Sequence, residues 1–249
     1  MPFNNLMTGY QNEYDFVNLV NNKKMCDIDF SLQLFIIDIF GDISNNSIIH
    51  GYVDRGKRKY DIVIMIDNDI RRISIKKGSR NSVHVEPISE FIHFLIENEM
   101  PKHMIENFLR YHYADGTTNG TGNNRVSIEK YKELHQNEID EINSFINKKE
   151  FLINAIDRFV IQGRNSNAKI DAILYGVPDD FLWLKRVDIC NILLEKRNDC
   201  STGIHFSHLS YQPLNRCLNA NKKYEKDRFI SQLKWFKLCD DIIENMGIL

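Results

Sequence analysis

Two carboxylates, a hydroxyl and an ammonium follow one another in the order Asp61, Ser74, Lys76, Glu86. Asp61 opens YDIVIMI (60–66), a run rich in β-branched residues. DND (67–69) turns and IRRISIKKG (70–78) runs back, which predicts a β-hairpin. Ser74 and Lys76 lie two apart and so project from one face, a parity that Arg72 shares, while Ile73 and Ile75 point the other way. A lysine flanked by apolar strand residues is costly to bury unless acceptors or anions meet it. Asp61 stands near the open end of the hairpin and Lys76 near the same end. Glu86 follows the short polar turn SRNS, at or beside the N-cap of a helix predicted over EPISEFIHFLIEN (86–98), where Pro87 fits the first turn and Ile88, Phe91, Ile92 and Leu95 recur at helical spacing. Two carboxylates and an ammonium converging in a groove suit Mg²⁺-assisted attack of water on a phosphodiester: the hard cation wants carboxylate oxygens, and the lysine stabilises developing charge. Asp67 and Asp69 read as turn formers, and His84 as either a partner of Glu86 or a structural group.

These residues resemble the PD-(D/E)XK nuclease superfamily, in particular its type II restriction endonucleases. KYDIVI (59–64) is similar to the segment that carries the first motif's Asp, and ISIKKG (73–78) to the strand that carries the motif lysine. Tyr60 replaces the usual proline. Ser74 replaces the usual acid two residues before the lysine, as in members with Ser-X-Lys that recruit a glutamate from the following helix. Glu86 is the preferred counterpart and Glu90, one helical turn on, the runner-up; Glu13 is the candidate for the further acid that many members carry on their first helix. The resemblance spans residues 45–95. It implies an α/β fold with a mixed central sheet flanked by helices, and Mg²⁺-dependent hydrolysis of double-stranded DNA by a homodimer. Asp61 and Glu86 would hold the metal, Lys76 would orient the attacking water, and Ser74 would support them without charge. Two other expectations are a DNA-binding protein of this fold that has lost hydrolysis, motivated by Ser74, and a defence or repair nuclease acting on RNA or structured DNA.

The 249 residues carry 32 Lys+Arg against 34 Asp+Glu, a net charge of −2, which excludes a highly basic coat or histone-like protein but leaves room for a local basic face. The five cysteines form no CxxC pair and are odd in number, so they are expected to be reduced thiols in a cytoplasmic protein. The start, MPFNNLMTGYQNEYDF, lacks the pattern of a secretion signal, and the apolar run Phe30–Phe40 is too short to cross a bilayer and contains Asp38, so no membrane association is expected. Cys200, His205 and His208 have C-x4-H-x2-H spacing without an evident fourth ligand, which argues against zinc. The glycines of 116–124 lack a GK[ST] ending, and no GxSxG elbow exists.

Further elements complete the expected frame. A helix is expected around 11–21, a helix or strand over 29–40, and a strand at IIHGYV (48–53). The basic run RGKRK (55–59) follows immediately, and its Arg55, Lys57 and Arg58 are candidate DNA contacts. Helices are predicted over 100–113, 127–147, 149–160, 179–196 and 223–246, a strand at IDAILYG (170–176), and a mobile loop at DGTTNGTGNN (115–124). In the last third, Gln212, Asn215, Arg216 and Asn219 precede a segment with Arg228 and Lys234; forked amide and guanidinium groups read base edges while lysines hold phosphates. The reading is a single domain over 1–249, with the nuclease-like core in 1–115 and a helical, DNA-contacting part in 125–249.

Overall fold

The β-branched run at 62–66 pairs antiparallel with 69–76, from Ile62 opposite Ile73 to Ile66 opposite Asp69. The link Asp67–Asn68 is tight, and Asp67 takes a left-handed φ of +54°, a conformation that aspartate tolerates better than most side chains. This hairpin sits in a computed structural model that describes residues 8–78, 81–122, 125–164, 167–199, 203–215 and 222–247. In chain order the elements are α1 (Thr8–Val20), β1 (Lys23–Lys24), α2 (Phe30–Phe40), β2 (Ile48–Val53), β3 (Ile62–Ile66), β4 (Asp69–Lys76), β5 (Ser82–Pro87), α3 (Ile88–Glu97), α4 (Lys102–Tyr113), α5 (Ile128–Ile146), α6 (Lys149–Ile156), β6 (Ala172–Val177), β7 (Asp180–Lys185), α7 (Arg186–Glu195), β8 (His205–Phe206), β9 (Leu209–Pro213), β10 (Ile230–Trp235) and α8 (Leu238–Asn245). Among the described residues no helix is long and apolar enough to cross a membrane.

The chain divides into two units. The first takes the residues up to Asn81, then Asp157–Ile192, and those from Leu238 on; the second takes Ser82–Ile156 and Leu193–Lys237. The first unit holds a six-stranded sheet in the order β1-β2-β3-β4-β6-β7. Its neighbours are antiparallel except β4 and β6, which run parallel with Ser74 opposite Ile173. One face of this sheet, with Ile62, Ile64, Ile73, Ala172 and Leu174, packs on Phe16, Val17 and Val20 of α1 and on Leu32, Phe35 and Ile36 of α2. Each of the Val, Leu, Ile and Phe side chains among them, taken out of water, contributes roughly 1.5–3 kcal/mol. The segment 29–40, left open between helix and strand by periodicity, is a helix because its ends are specified: Asp29 accepts from Ser31 N at 2.8 Å, and Gly41 takes φ +90° beyond the last turn. On β7 the Trp183 indole donates to Asp38 at 2.8 Å.

The second unit holds an antiparallel sheet in the order β5-β10-β9-β8. An aromatic cluster packs with it, Phe91 lying 5.5 Å from Phe108 and 5.1 Å from Tyr211 between ring centres. Trp235 of β10 is fully buried. Several segments differ here from the sequence expectation. Residues 82–87 form a strand before α3 begins, and the irregular stretch around 205–213 supplies β8 and β9. The helix expected at 223–246 is a 3₁₀ turn at 222–229, then β10, then α8. In β10 Ser231, Leu233 and Trp235 are buried while the residues between them are half-exposed, a period of two that pairing with β5 and β9 enforces. The helix expected at 179–196 is β7 followed by α7, and the one at 149–160 ends at Ile156 and continues as a π-helical segment, Asp157–Gln162.

The loop after α4 carries a fixed hydrogen-bond pattern around one buried carboxylate. Asp115 Oδ1 accepts from the Thr117 N–H (2.9 Å) and hydroxyl (2.8 Å), Oδ2 accepts from the Gly122 N–H (3.1 Å), and Arg228 pairs with it. The loop closes so tightly that a Cβ on Gly122 would stand 2.1 Å from the Asp115 carbonyl oxygen. Only glycine fits there.

Candidate functional site

Asp61 enters the first sheet just before β3, its N–H donating to Ile73 O at 2.9 Å. That bond sets the carboxylate beside the end of β4. Asp61 Oδ2 accepts from the Ile75 N–H at 2.6 Å and from the Ser74 hydroxyl at 3.1 Å. Ser74 Oγ in turn accepts from Lys76 Nζ at 2.8 Å, and the ammonium also donates to Ile75 O at 3.2 Å. Lys76 Nζ is 3.8 Å from Asp61 Oδ2. The parity read from the sequence thus brings Ser74 and Lys76 to one face, with the serine hydroxyl as the link between anion and cation. Ser74 is 2% exposed, whereas the Asp61 and Lys76 side chains retain 30% and 18% of their surface. Asp61 Oδ1 takes no hydrogen bond among the described residues. Lys76 has three donors and uses two.

A second carboxylate acts on this group. Glu13 of α1 has its pKa raised above the ordinary glutamate value, first by burial and then by the charge of Asp61, against the pull of Arg55 and Lys76. Arg55, just past β2, donates to Glu13 Oε2 at 2.7 Å and stands over the rings of Tyr10 and Tyr14, at 4.5 and 4.7 Å from their centres. The aromatic bracket around Arg55 was not read from the sequence. The spacing of Tyr10, Glu13 and Tyr14 at i, i+3 and i+4 was the available signal.

Glu86 lies on β5 in the second unit, directly opposite Ser231. It is the residue before Pro87, the N-cap of α3. Its side chain is 2% exposed, with Oε2 3.2 Å from His84 Nε2. Glu90 stands in the first turn of α3, in the same unit. The structure therefore brings together Asp61, Ser74 and Lys76 in the first unit, where Glu13 feels the charges of Asp61 and Lys76, and sets Glu86 beside His84 in the second.

The candidate DNA contacts are distributed over both units. Lys57 is exposed in the loop after β2, and Arg58 pairs with Asp54 at 2.9 Å while donating to the Tyr60 hydroxyl. Gln212 on β9 faces Gln232 on β10, and Lys234, two residues on, holds its ammonium 5.8 Å over the Phe236 ring. Asn215 donates to Asp227 at 2.7 Å. Arg228 is held by Asp115, with 19% of its side chain exposed. Arg216 and Asn219 lie outside the described residues, as does Cys200. His205 and His208 are engaged with Gly203 O and with Asp199, each at 2.8 Å.

Among the described residues no three His, Cys, Asp or Glu side chains gather as a metal-holding set. The donors present nevertheless fit Mg²⁺, which keeps several waters and needs only one or two carboxylates besides substrate oxygens. Asp61, whose Oδ1 takes no hydrogen bond among the described residues, and Glu13 supply such carboxylates, and the oxygen-only chemistry of the group disfavours a softer metal.

A mixed sheet flanked by helices, with an acid at the head of one hairpin strand and a lysine near the end of the next, is a restriction-endonuclease-like fold. A similar solved structure is that of the restriction endonuclease MspI in complex with its cognate DNA, with a TM-score of 0.52, 12% sequence identity, and coverage of 94% of this chain and 93% of that one. At that identity the likeness shows the fold. No family model matches the chain, and no curated protein does.

Proposed function

We propose that the protein is a Mg²⁺-dependent endonuclease that hydrolyses phosphodiester bonds of double-stranded DNA, as a type II restriction enzyme does. The observation that carries this reading is the Asp61–Ser74–Lys76 chain at the open end of the hairpin; the similarity to a restriction endonuclease solved with DNA supports it. Asp61 and Glu13, both carboxylates of the first unit, would hold the cation. When bound, Mg²⁺ supplies positive charge that neutralises phosphate oxygens and makes water a stronger nucleophile at neutral pH.

The chain's own groups do the positioning. The Ile75 N–H and Ser74 hydroxyl fix the Asp61 carboxylate, so its free oxygen needs no reorganisation to take a ligand. Ser74 and the Ile75 carbonyl hold two of the Lys76 protons and leave the third for the attacking water or a phosphate oxygen. In the second unit Gln212, Gln232 and Lys234 share the less buried face of the β-sheet, and we assign them to base and phosphate contacts.

Cleavage of plasmid DNA in Mg²⁺ tests the site. Lys76→Ala is expected to lower the rate by about 10²–10³-fold while leaving DNA affinity within a few-fold of wild type. Equal cleavage by the folded variant would sink the assignment. Comparing Glu13→Gln with Glu86→Gln decides which acid serves the cation, and loss of cleavage is expected for Glu13. A second reading, a DNA-binding protein without hydrolysis, is favoured by one observation: Ser74 stands where the family's second acid would be and is itself closed to solvent. Duplex binding indifferent to Mg²⁺ or Ca²⁺, with no cleavage of any sequence, would establish it.

A further inference from the structure

Arg55 is gripped on one side and open on the other. Its side chain is 40% exposed, whereas that of Glu13 beneath it is 13% exposed. The rings that flank it belong to Tyr10 and Tyr14, themselves 66% and 47% exposed. Cation–π contact with both rings holds the guanidinium plane in place. Its donors reach Glu13 Oε2 at 2.7 Å and the Tyr14 hydroxyl. Glu13 thus serves two electrostatic neighbours, the guanidinium it bonds and the Asp61–Lys76 group whose charges it feels. A divalent cation placed between Asp61 and Glu13 would compete with Arg55 for the same carboxylate. Drawing Glu13 away would leave a planar, pre-oriented fork at the surface, and such a fork matches two oxygens of a phosphate.

We propose that Arg55 is a site for a backbone phosphate of DNA that opens when Glu13 turns from the guanidinium to a divalent cation, so that cation and DNA strengthen each other's binding through this side chain. The proposal rests on the assignment of Glu13 to the cation. Linkage requires the effect to be reciprocal: the factor by which cation tightens DNA binding equals the factor by which DNA tightens cation binding. Arg55 acts on the cation only through Glu13 and is a positioning residue in that respect.

The experiment uses the full chain, stripped of metal, at pH 8, with Ca²⁺ as the probe so that no cleavage intervenes. Calorimetry measures Ca²⁺ affinity without DNA, and anisotropy measures affinity for a labelled duplex with and without Ca²⁺ at fixed ionic strength. Arg55→Ala is expected to bind Ca²⁺ alone roughly three- to tenfold more tightly than wild type, because the competing cation is gone. Its Ca²⁺-induced gain in DNA affinity is expected to shrink by about fivefold or more. Arg55→Lys keeps the charge but not the fork, and is expected to restore the wild-type Ca²⁺ affinity without restoring the full gain. Unchanged or weaker Ca²⁺ binding by Arg55→Ala overturns the proposal, and so does an unchanged gain. If Ca²⁺ binding and Mg²⁺-dependent cleavage persist in wild type under those outcomes, the endonuclease reading stands; if wild type takes up no Ca²⁺ at all, both fall.

Discussion

Glu13 is a carboxyl group whose surroundings disfavour its charge. Burial first and Asp61 second raise the Glu13 pKa above 4.5, so folding disfavours its ionised form. The stability that Glu13 contributes is therefore present below its unfolded pKa and is lost as pH rises through the higher folded value. Replacing the group by a neutral one removes this loss. Glu13→Gln is expected to melt at or above the wild-type temperature in EDTA at pH 8, with the difference vanishing near pH 4, while cleavage falls by about 10²-fold or more. Scanning fluorimetry across pH checks the first part; a lower melting temperature at pH 8 would contradict it. Ser74 is the opposite case, a neutral group whose value is geometric. Ser74→Ala leaves Lys76 with one fixed acceptor instead of two and is expected to slow cleavage roughly 10–100-fold with little change in DNA affinity, measured in single-turnover assays. Asp61, Ser74 and Lys76 could be read from the sequence because strand parity and a two-residue turn are local rules. The acid on α1 could only be weakly anticipated, since 48 positions separate Glu13 from Asp61 and no local rule spans them.

The elements show the same division between local and non-local control. Asp29 and Gly41 fix α2 from within its own sequence, and the hairpin follows from β-branched residues and a turn. β5, β9 and β10 were not legible, because their strand character depends on partners found elsewhere in the chain: Gln232 pairs at once with Val85 and Gln212. Leu233 fits both a helical face and an alternating one, so periodicity alone misassigned 223–246. The glycine-rich segment holds contacts that composition does not reveal. Its composition reads as a mobile loop, and within it four donors converge on Asp115. Burial would raise that carboxyl's pKa, but hydrogen bonds from Thr117 and Gly122 and the charge of Arg228 outweigh it, and the net direction is downward. The stability it contributes is thus present above the unfolded value and is lost as pH falls through the lower folded one, in the acid range below the ordinary 3.8. Asp115→Ala is expected to cost about 3–5 kcal/mol by leaving Arg228 unpaired, and Gly122→Ala about 1–3 kcal/mol through the clash with the Asp115 backbone. Urea denaturation measures both, and a change under 0.5 kcal/mol in Asp115→Ala, by the same order-of-magnitude scale, would show that the pair is not structural.

At the scale of the whole molecule, the backbone passes from one unit to the other after Asn81, Ile156, Ile192 and Lys237. The sheet that positions Asp61 and Lys76 takes β6 and β7 from residues 172–185, so β4 lacks its neighbour in any fragment that stops earlier. A fragment of residues 1–115 is accordingly expected to show no cooperative unfolding and no cleavage, as circular dichroism and the plasmid assay would reveal. The proposed homodimer is checked by light scattering with and without a duplex. The chain has two tryptophans, and they are divided evenly: Trp183 lies in the first unit and Trp235 in the second. Trp183→Phe and Trp235→Phe each leave a single fluorophore, which turns every denaturation curve into a separate report from one half of the protein. Coincident emission midpoints would mean that the interlaced backbone makes both halves melt as one body; an earlier midpoint for Trp183 emission would mean that the half holding Asp61 and Lys76 can loosen on its own.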